Sequence, residues 1–202
     1  MAELDYEHKR FLIVDSIKPS RDMLKIFCYS LGVKKLDTSY RSSDILAMCA
    51  ETSYDVILLG YDLGENKKNG QQLLEELRAK GLISRLCIVI MITAEVSQAM
   101  VLAALEHKPD SYLCKPYTVG ELSKRLNSCA KKKNAMIEIY QALDNDEKQL
   151  AISLVNKAID KLKDMEVRFD GYEYYLKCVK RDGIPYNLIS DVLPKLEVEI
   201  NN

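Results

Sequence analysis

Apolar runs of strand length alternate with amphipathic segments over the first two thirds of the chain. Such runs are typical of strands that are buried on both faces of a parallel sheet. The five predicted strands span residues 10–15, 33–38, 54–60, 87–94 and 110–116. Apolar residues recur at helical spacing between them, and the predicted helices span residues 19–31, 71–80, 96–106 and 119–133, with one more helix capped by Ser42, Ser43 and Asp44. This alternation predicts an α/β fold in which helices cover both faces of a parallel sheet.

The last third of the chain has no strand pattern. We expect two domains, residues 1–133 and an α-helical extension over residues 134–202 that packs as hairpins. The predicted helices of the extension span residues 135–143 and 150–162, one after Gly171, and 186–193. Residues 151–159 are similar to the second helix of a tetratricopeptide repeat, and an ordinary helical hairpin is the alternative. The extension carries tyrosines suited to partner contact, dimerisation or internal packing, namely Tyr140, Tyr172, Tyr174, Tyr175 and Tyr186.

Charge and composition exclude several classes of function. The formal net charge of −1 gives no electrostatic reason to expect nucleic-acid binding. No apolar run has transmembrane length and the polar start does not resemble a secretory signal, so we expect a cytoplasmic protein without a membrane partner. The cysteines form no C-x-x-C pair and are expected to be buried, reduced thiols: Cys28, Cys49, Cys87, Cys114, Cys129 and Cys178.

Polar residues stand where the predicted strands end. Asp15 follows the first strand, Thr93 and Ala94 end the fourth, and Lys115 with Pro116 ends the fifth. The carboxyl ends of parallel strands meet at one edge of the sheet, which is where ligands and chemistry are found in open α/β folds. The third strand ends in Gly60, which has no side chain to contribute.

Five motifs in order give residues 10–126 a specific resemblance. They are Phe11–Asp15, Asp55–Leu59, Asn69-Gly70, Ile92-Thr93-Ala94 and Lys115-Pro116. Together they resemble a response-regulator receiver domain, the CheY-like fold of two-component signalling. The resemblance implies a doubly wound, five-stranded parallel sheet of the flavodoxin type. It also implies phosphoryl transfer from a histidine kinase to an aspartate at the end of the third strand, with Mg²⁺ held by neighbouring carboxylates.

The resemblance assigns roles to individual residues. Lys115 matches the lysine that pairs with the phosphoryl oxygens, and its bond to Pro116 matches a peptide bond that is usually cis. Thr93 matches the hydroxyl that reaches the phosphoryl group. Tyr112 matches the aromatic switch residue, with a fixed packing role as the alternative. Asp15 matches the first of two acidic residues after the first strand.

The sequence departs from the family pattern at two positions that would carry out the phosphoryl transfer. Ser16 stands where the second acidic residue is expected, and Gly60 stands where the phospho-accepting aspartate is expected. A lone Asp15 should bind Mg²⁺ weakly or not at all, because that ion prefers several oxygen ligands in octahedral geometry. We therefore expect no cofactor. Lys115 and Asp15 are expected to form a direct ion pair, with a retained anion site as the alternative.

The sequence thus predicts a non-catalytic pseudo-receiver of a bacterial two-component phosphorelay, which regulates through protein contact. Its expected partners are a sensor histidine kinase or another response regulator, and a homodimer is a further option. One alternative is a phospho-switch that uses Asp62, although this position usually offers only its backbone carbonyl to the metal. The other is an ordinary receiver whose natural residue at position 60 is not glycine.

Overall fold

The computed structural model describes residues 6–64, 68–94 and 109–163. The chain divides into two compact units, residues 1–134 and 135–202. The first unit holds the strands β1 (Arg10–Val14), β2 (Lys35–Ser39), β3 (Val56–Gly60), β4 (Ile88–Thr93) and β5 (Ser111–Cys114). Its described helices are α1 (Lys18–Ser30), α2 (Ser42–Glu51), α3 (Gly70–Ala79) and α4 (Val119–Ala135).

All five strands form one parallel sheet in the order β2-β1-β3-β4-β5. This is the doubly wound, flavodoxin-like order, so the predicted fold class is confirmed. Every residue of β3 and β4 is buried, whereas β2 at the sheet edge is mostly half-exposed. The most apolar strand, β4, is an interior strand, and β3 occupies the middle of the sheet.

Alternating side chains of the strands divide the core between the two faces of the sheet. On one face Ile13 and Leu58 pack in a cluster with Leu24 of α1 and Leu122 of α4. On the other face the strand residues pack with apolar residues of α2 and α3, in a cluster that includes Leu59, Ile45 and Leu73. Because both faces are covered, the strands need apolar residues at consecutive positions, and this requirement produced the runs seen in the sequence.

Two helix starts differ from the sequence prediction. The residue that caps α2 is Arg41, and Ser42 is already helical, so the predicted side-chain cap is wrong. Arg41 has extended backbone angles, and no side-chain cap hydrogen bond forms there. At α3, Asn69 and Gln72 form a reciprocal capping box, with Asn69 Oδ1 accepting from the Gln72 amide at 2.9 Å. The predicted helix 96–106 lies outside the described residues.

The described part of the second unit contains α5 (Ile137–Asp144) and α6 (Lys148–Lys163), which pack against each other. Asp146 has a φ of 59° in the turn between them. The two predicted hairpin helices are therefore confirmed. The helices expected after Gly171 and from Tyr186 lie outside the described residues, and so do four of the five tyrosines of the extension, Tyr140 being the one that is described. Across the described residues, none of the helices combines the length and apolar character that a membrane crossing requires.

Candidate functional site

The polar residues predicted to meet at the carboxyl edge of the sheet are brought there by β1, β3, β4 and β5. Gly60 and Thr93 are the last residues of their strands, and Asp15 and Lys115 directly follow theirs. The Lys115 amide donates to the Thr93 carbonyl at 2.8 Å, which extends the pairing of β4 and β5 to the site. Thr93 is buried, and Ala94, which follows it, is exposed.

Asp15 is the centre of the site and is only 2% exposed. Its Oδ1 accepts a hydrogen bond from the Ile17 amide at 2.8 Å, and its Oδ2 accepts one from the Ser20 hydroxyl at 2.7 Å. Both donors lie at the start of α1, so the helix entry is tied to the end of β1. Ser20 is a hydrogen-bond partner of Asp15 that the sequence reasoning missed, and its position five residues after the carboxylate was the available signal.

Lys115 supplies the counter-charge for this buried carboxylate. Its Nζ lies 2.8 Å from Asp15 Oδ2, with the lysine side chain 25% exposed and the aspartate side chain 2% exposed. The structure therefore contains the direct ion pair that the sequence analysis set against a retained anion site. A buried carboxylate without such a partner would carry a large desolvation cost. The Lys115-Pro116 peptide bond is cis, as predicted.

Position 60 faces Asp15 directly. A Cβ atom built there would lie 3.1 Å from the Val14 carbonyl oxygen and 3.5 Å from Asp15 Cγ. A side chain at this position would therefore enter the site, and glycine leaves only backbone. The α3 start also packs closely here, because a Cβ atom at Gly70 would lie 2.2 Å from the Gly60 carbonyl oxygen.

Ser16 and Asp62 connect the loops that follow β1 and β3. The Ser16 hydroxyl donates to the Asp62 carbonyl oxygen at 3.0 Å. The Asp62 side chain is exposed and turns back on its own loop, where Oδ1 accepts from the Gly64 amide at 2.8 Å. Strand alternation alone would place Asp62 on the side of Gly60, but the strand ends at Gly60 and that alternation does not continue.

This donor set does not fit a Mg²⁺ ion. The ion requires near-octahedral oxygen ligation, usually with one or two carboxylates. Among the residues that the structure describes, Asp15 is the only carboxylate directed into the site, and its two oxygens already accept bonds from Ile17, Ser20 and Lys115. The Asp62 carbonyl oxygen accepts from Ser16.

Arg21 and Tyr117 interact with Asp15, whereas Tyr112 packs against the core. Tyr112 is half-buried against the core on the α2–α3 face of the sheet. Its pKa is raised, mainly by burial and to a smaller extent by the nearby Tyr61. Its switch role remains a prediction. Arg21, which the sequence reasoning missed, donates from one guanidinium nitrogen to the backbone carbonyls of Asp15 at 2.6 Å and Ser16 at 3.0 Å. Tyr117 is buried, and burial together with the charge of Asp15 raises its pKa to about 12.

Four of the predicted buried thiols are buried and free, namely Cys28, Cys49, Cys87 and Cys129. Burial raises the pKa of each, to about 12 for Cys28 and about 11 for Cys49 and Cys129, which favours the neutral thiol over the reactive thiolate. Cys114 is free but half-buried, so its predicted burial is wrong. It lies on β5, whose residues are less covered than those of the interior strands. Cys178 lies outside the described residues.

The family model for the response regulator receiver domain matches residues 11–127. The transcriptional regulatory protein CiaR of Streptococcus pneumoniae is 33% identical over 61% of this chain and 50% of CiaR. Hybrid signal transduction histidine kinase D of Dictyostelium discoideum is 27% identical over 64% of this chain and 9% of the kinase. The chain thus spans half the length, or less, of these curated relatives. A two-component response regulator structure from Clostridium difficile shares the fold, with a TM-score of 0.55 and 24% identity over 63% of this chain and 99% of that chain.

Proposed function

This chain belongs to the response regulator receiver domain family, and we propose that it is a receiver that works without phosphorylation and regulates through protein contact. The observation that carries the proposal is Gly60. Glycine stands at the end of β3, facing Asp15, where the family resemblance places the acceptor aspartate. A residue without a side chain has no carboxylate oxygen that could attack a phosphohistidine.

The bonds around the site support the same proposal. Lys115, the residue matched to phosphoryl binding, is paired with Asp15. Asp62, the other carboxylate near the end of β3 among the described residues, is exposed and accepts a hydrogen bond from the Gly64 amide. Phosphoryl transfer requires the reacting atoms to be held within about 3.5 Å in line. An Asp62 carboxylate that points along its own loop is poorly placed for that role, so we do not favour it as a substitute acceptor.

Regulation by contact requires a surface for partners, and α1 offers one. Ile26 and Tyr29 on this helix are 66% and 57% exposed, and Ile17 just before it is 56% exposed. Single exposed apolar side chains are common, but several along one helix are a feature of protein contact sites. Because the curated relatives are named as a histidine kinase and a transcriptional regulator, we propose a sensor histidine kinase as the partner and another response regulator as the second option. A Glu replacement at Ile26 should reduce capture of the kinase, and the same replacement at Lys131, on α4, is the control.

The absence of phosphorylation is tested with acetyl phosphate and Mg²⁺, read by intact mass. We expect the chain to gain no phosphoryl group. A variant with aspartate at both position 16 and position 60 is the positive control for the reagent. A phosphoryl group on the natural chain that is lost in Asp62→Asn would instead establish the Asp62 phospho-switch. Reading position 60 in the source gene decides whether glycine is the natural residue.

A further inference from the structure

The loops after β1 and β3 are held together by one side-chain hydrogen bond at the site. Ser16 Oγ lies 3.0 Å from the Asp62 carbonyl oxygen, across 46 positions of sequence. On the β3 side, the Asp62 carboxylate accepts a hydrogen bond from the Gly64 amide at 2.8 Å, which restrains the loop that carries this carbonyl. On the β1 side, Arg21 fixes the carbonyl of Ser16 at 3.0 Å. The bond therefore joins two restrained loops.

A divalent cation would connect the same two loops, because carbonyl and carboxylate oxygens are the ligands that Mg²⁺ takes in proteins. We propose that Ser16 replaces this cation: its hydroxyl, by bonding the Asp62 carbonyl, cross-links the loops without a metal and makes Ser16 a determinant of metal exclusion separate from Gly60. This inference rests on the proposed function, because both concern the same pocket.

The charges around Ser16 support this role. Asp15 carries one negative charge in the pocket and Lys115 neutralises it at 2.8 Å. A serine in place of a second carboxylate adds no charge. A cation entering here would thus find the Asp15 carboxylate already paired with Lys115, and would have to displace both the lysine from Asp15 and the hydroxyl from the carbonyl of Asp62. Each displacement removes a bond that the metal-free chain already makes.

The test is a calorimetric Mg²⁺ titration of the whole chain in three variants that share Gly60→Asp. Gly60→Asp alone restores a carboxylate but keeps the Ser16 bond. Adding Ser16→Ala removes only the competing hydroxyl, and adding Ser16→Asp supplies a further ligand. Ser30→Ala is the matched control, because Ser30 Oγ also donates to a backbone carbonyl, that of Phe27 at 2.8 Å, but lies at the end of α1.

We expect Mg²⁺ affinity to increase from Gly60→Asp to the Ser16→Ala double variant by about two- to tenfold, the range for release of one hydrogen bond. The Ser16→Asp double variant should bind tighter still. Equal affinity of Gly60→Asp with and without Ser16→Ala would overturn the inference, as would the same gain in Gly60→Asp/Ser30→Ala. If the replaced glycine disturbs folding, the comparison is made with Gly60 retained, between Ser16→Ala and the natural chain: higher Mg²⁺ affinity is again expected in Ser16→Ala, and equal affinity would overturn the inference.

The two proposals fail separately. Phosphorylation of the natural chain by acetyl phosphate would overturn the proposed function while leaving the Ser16 ranking to be measured. Equal Mg²⁺ binding in the Ser16 pair would overturn the role of Ser16 while leaving the natural chain without an acceptor at Gly60.

Discussion

Replacing Lys133 by methionine should strongly destabilise the first unit, although the lysine belongs to a charged run at the end of α4. Lys133 Nζ lies 3.0 Å from Asp110 Oδ1, and the two side chains are only 6% and 1% exposed. The second aspartate oxygen accepts from the Val89 amide at 2.8 Å, and Lys133 also donates to the Arg85 carbonyl at 2.5 Å. The pair thus joins α4 to the start of β4 and to the chain before it.

The magnitude follows from this burial. Removing one partner of a buried ion pair leaves an uncompensated charge and costs about 3–5 kcal/mol. The total stability of a domain is about 5–15 kcal/mol, so Lys133→Met should remove a large share of it. Asp110→Asn should cost a similar amount. The double variant Lys133→Met/Asp110→Asn should lose much less stability than the sum of the two single losses, because both charges are removed and none is left buried alone.

The assay is urea unfolding of the whole chain by circular dichroism, with amide hydrogen exchange at Val89 as a local measurement beside Asp110. Lys131→Met on the exposed side of α4 is the control and should change stability by less than about 0.5 kcal/mol. If Lys133→Met costs no more than that control, the pair behaves as a solvated surface contact, and the argument from burial is refuted.

Three further predictions follow from the fold. Gly70→Ala should destabilise the chain by about 1–3 kcal/mol in urea unfolding, because its Cβ would lie 2.2 Å from the Gly60 carbonyl oxygen, and an unchanged midpoint would contradict this contact. Asn69→Ala should cost about 1 kcal/mol through loss of the α3 cap, with no loss expected if the capping box is not formed in solution. Burial raises the pKa of Cys28 from 9.0 to about 12, so its contribution to stability is complete below pH 9 and is lost as pH rises towards 12. Between pH 9 and 12 the free energy of unfolding should therefore fall less steeply with pH in Cys28→Ala than in the natural chain. If the two curves of free energy against pH are parallel, the raised pKa of Cys28 is contradicted.

The site shows where prediction from the sequence stopped. Asp15, Lys115 and Thr93 were expected at one edge because parallel strands place their carboxyl ends together, and the structure places them there. The Ser16 bond to Asp62 was not expected, because it depends on how two loops approach each other. The sequence analysis made no prediction about the pairing of Lys133, because its partner Asp110 stands just before β5, 23 positions away.

The sequence by itself determined the layers of the fold and the absence of a side chain at position 60. Consecutive apolar residues can be buried only where both faces of a strand are covered, so their spacing carries the α/β architecture without any knowledge of distant contacts. Tertiary structure alone decided which polar groups of the site bond one another. Those bonds join residues such as Ser16 and Asp62, 46 positions apart, and their lengths depend on sheet register and loop direction to within a fraction of an ångström, which local patterning does not encode.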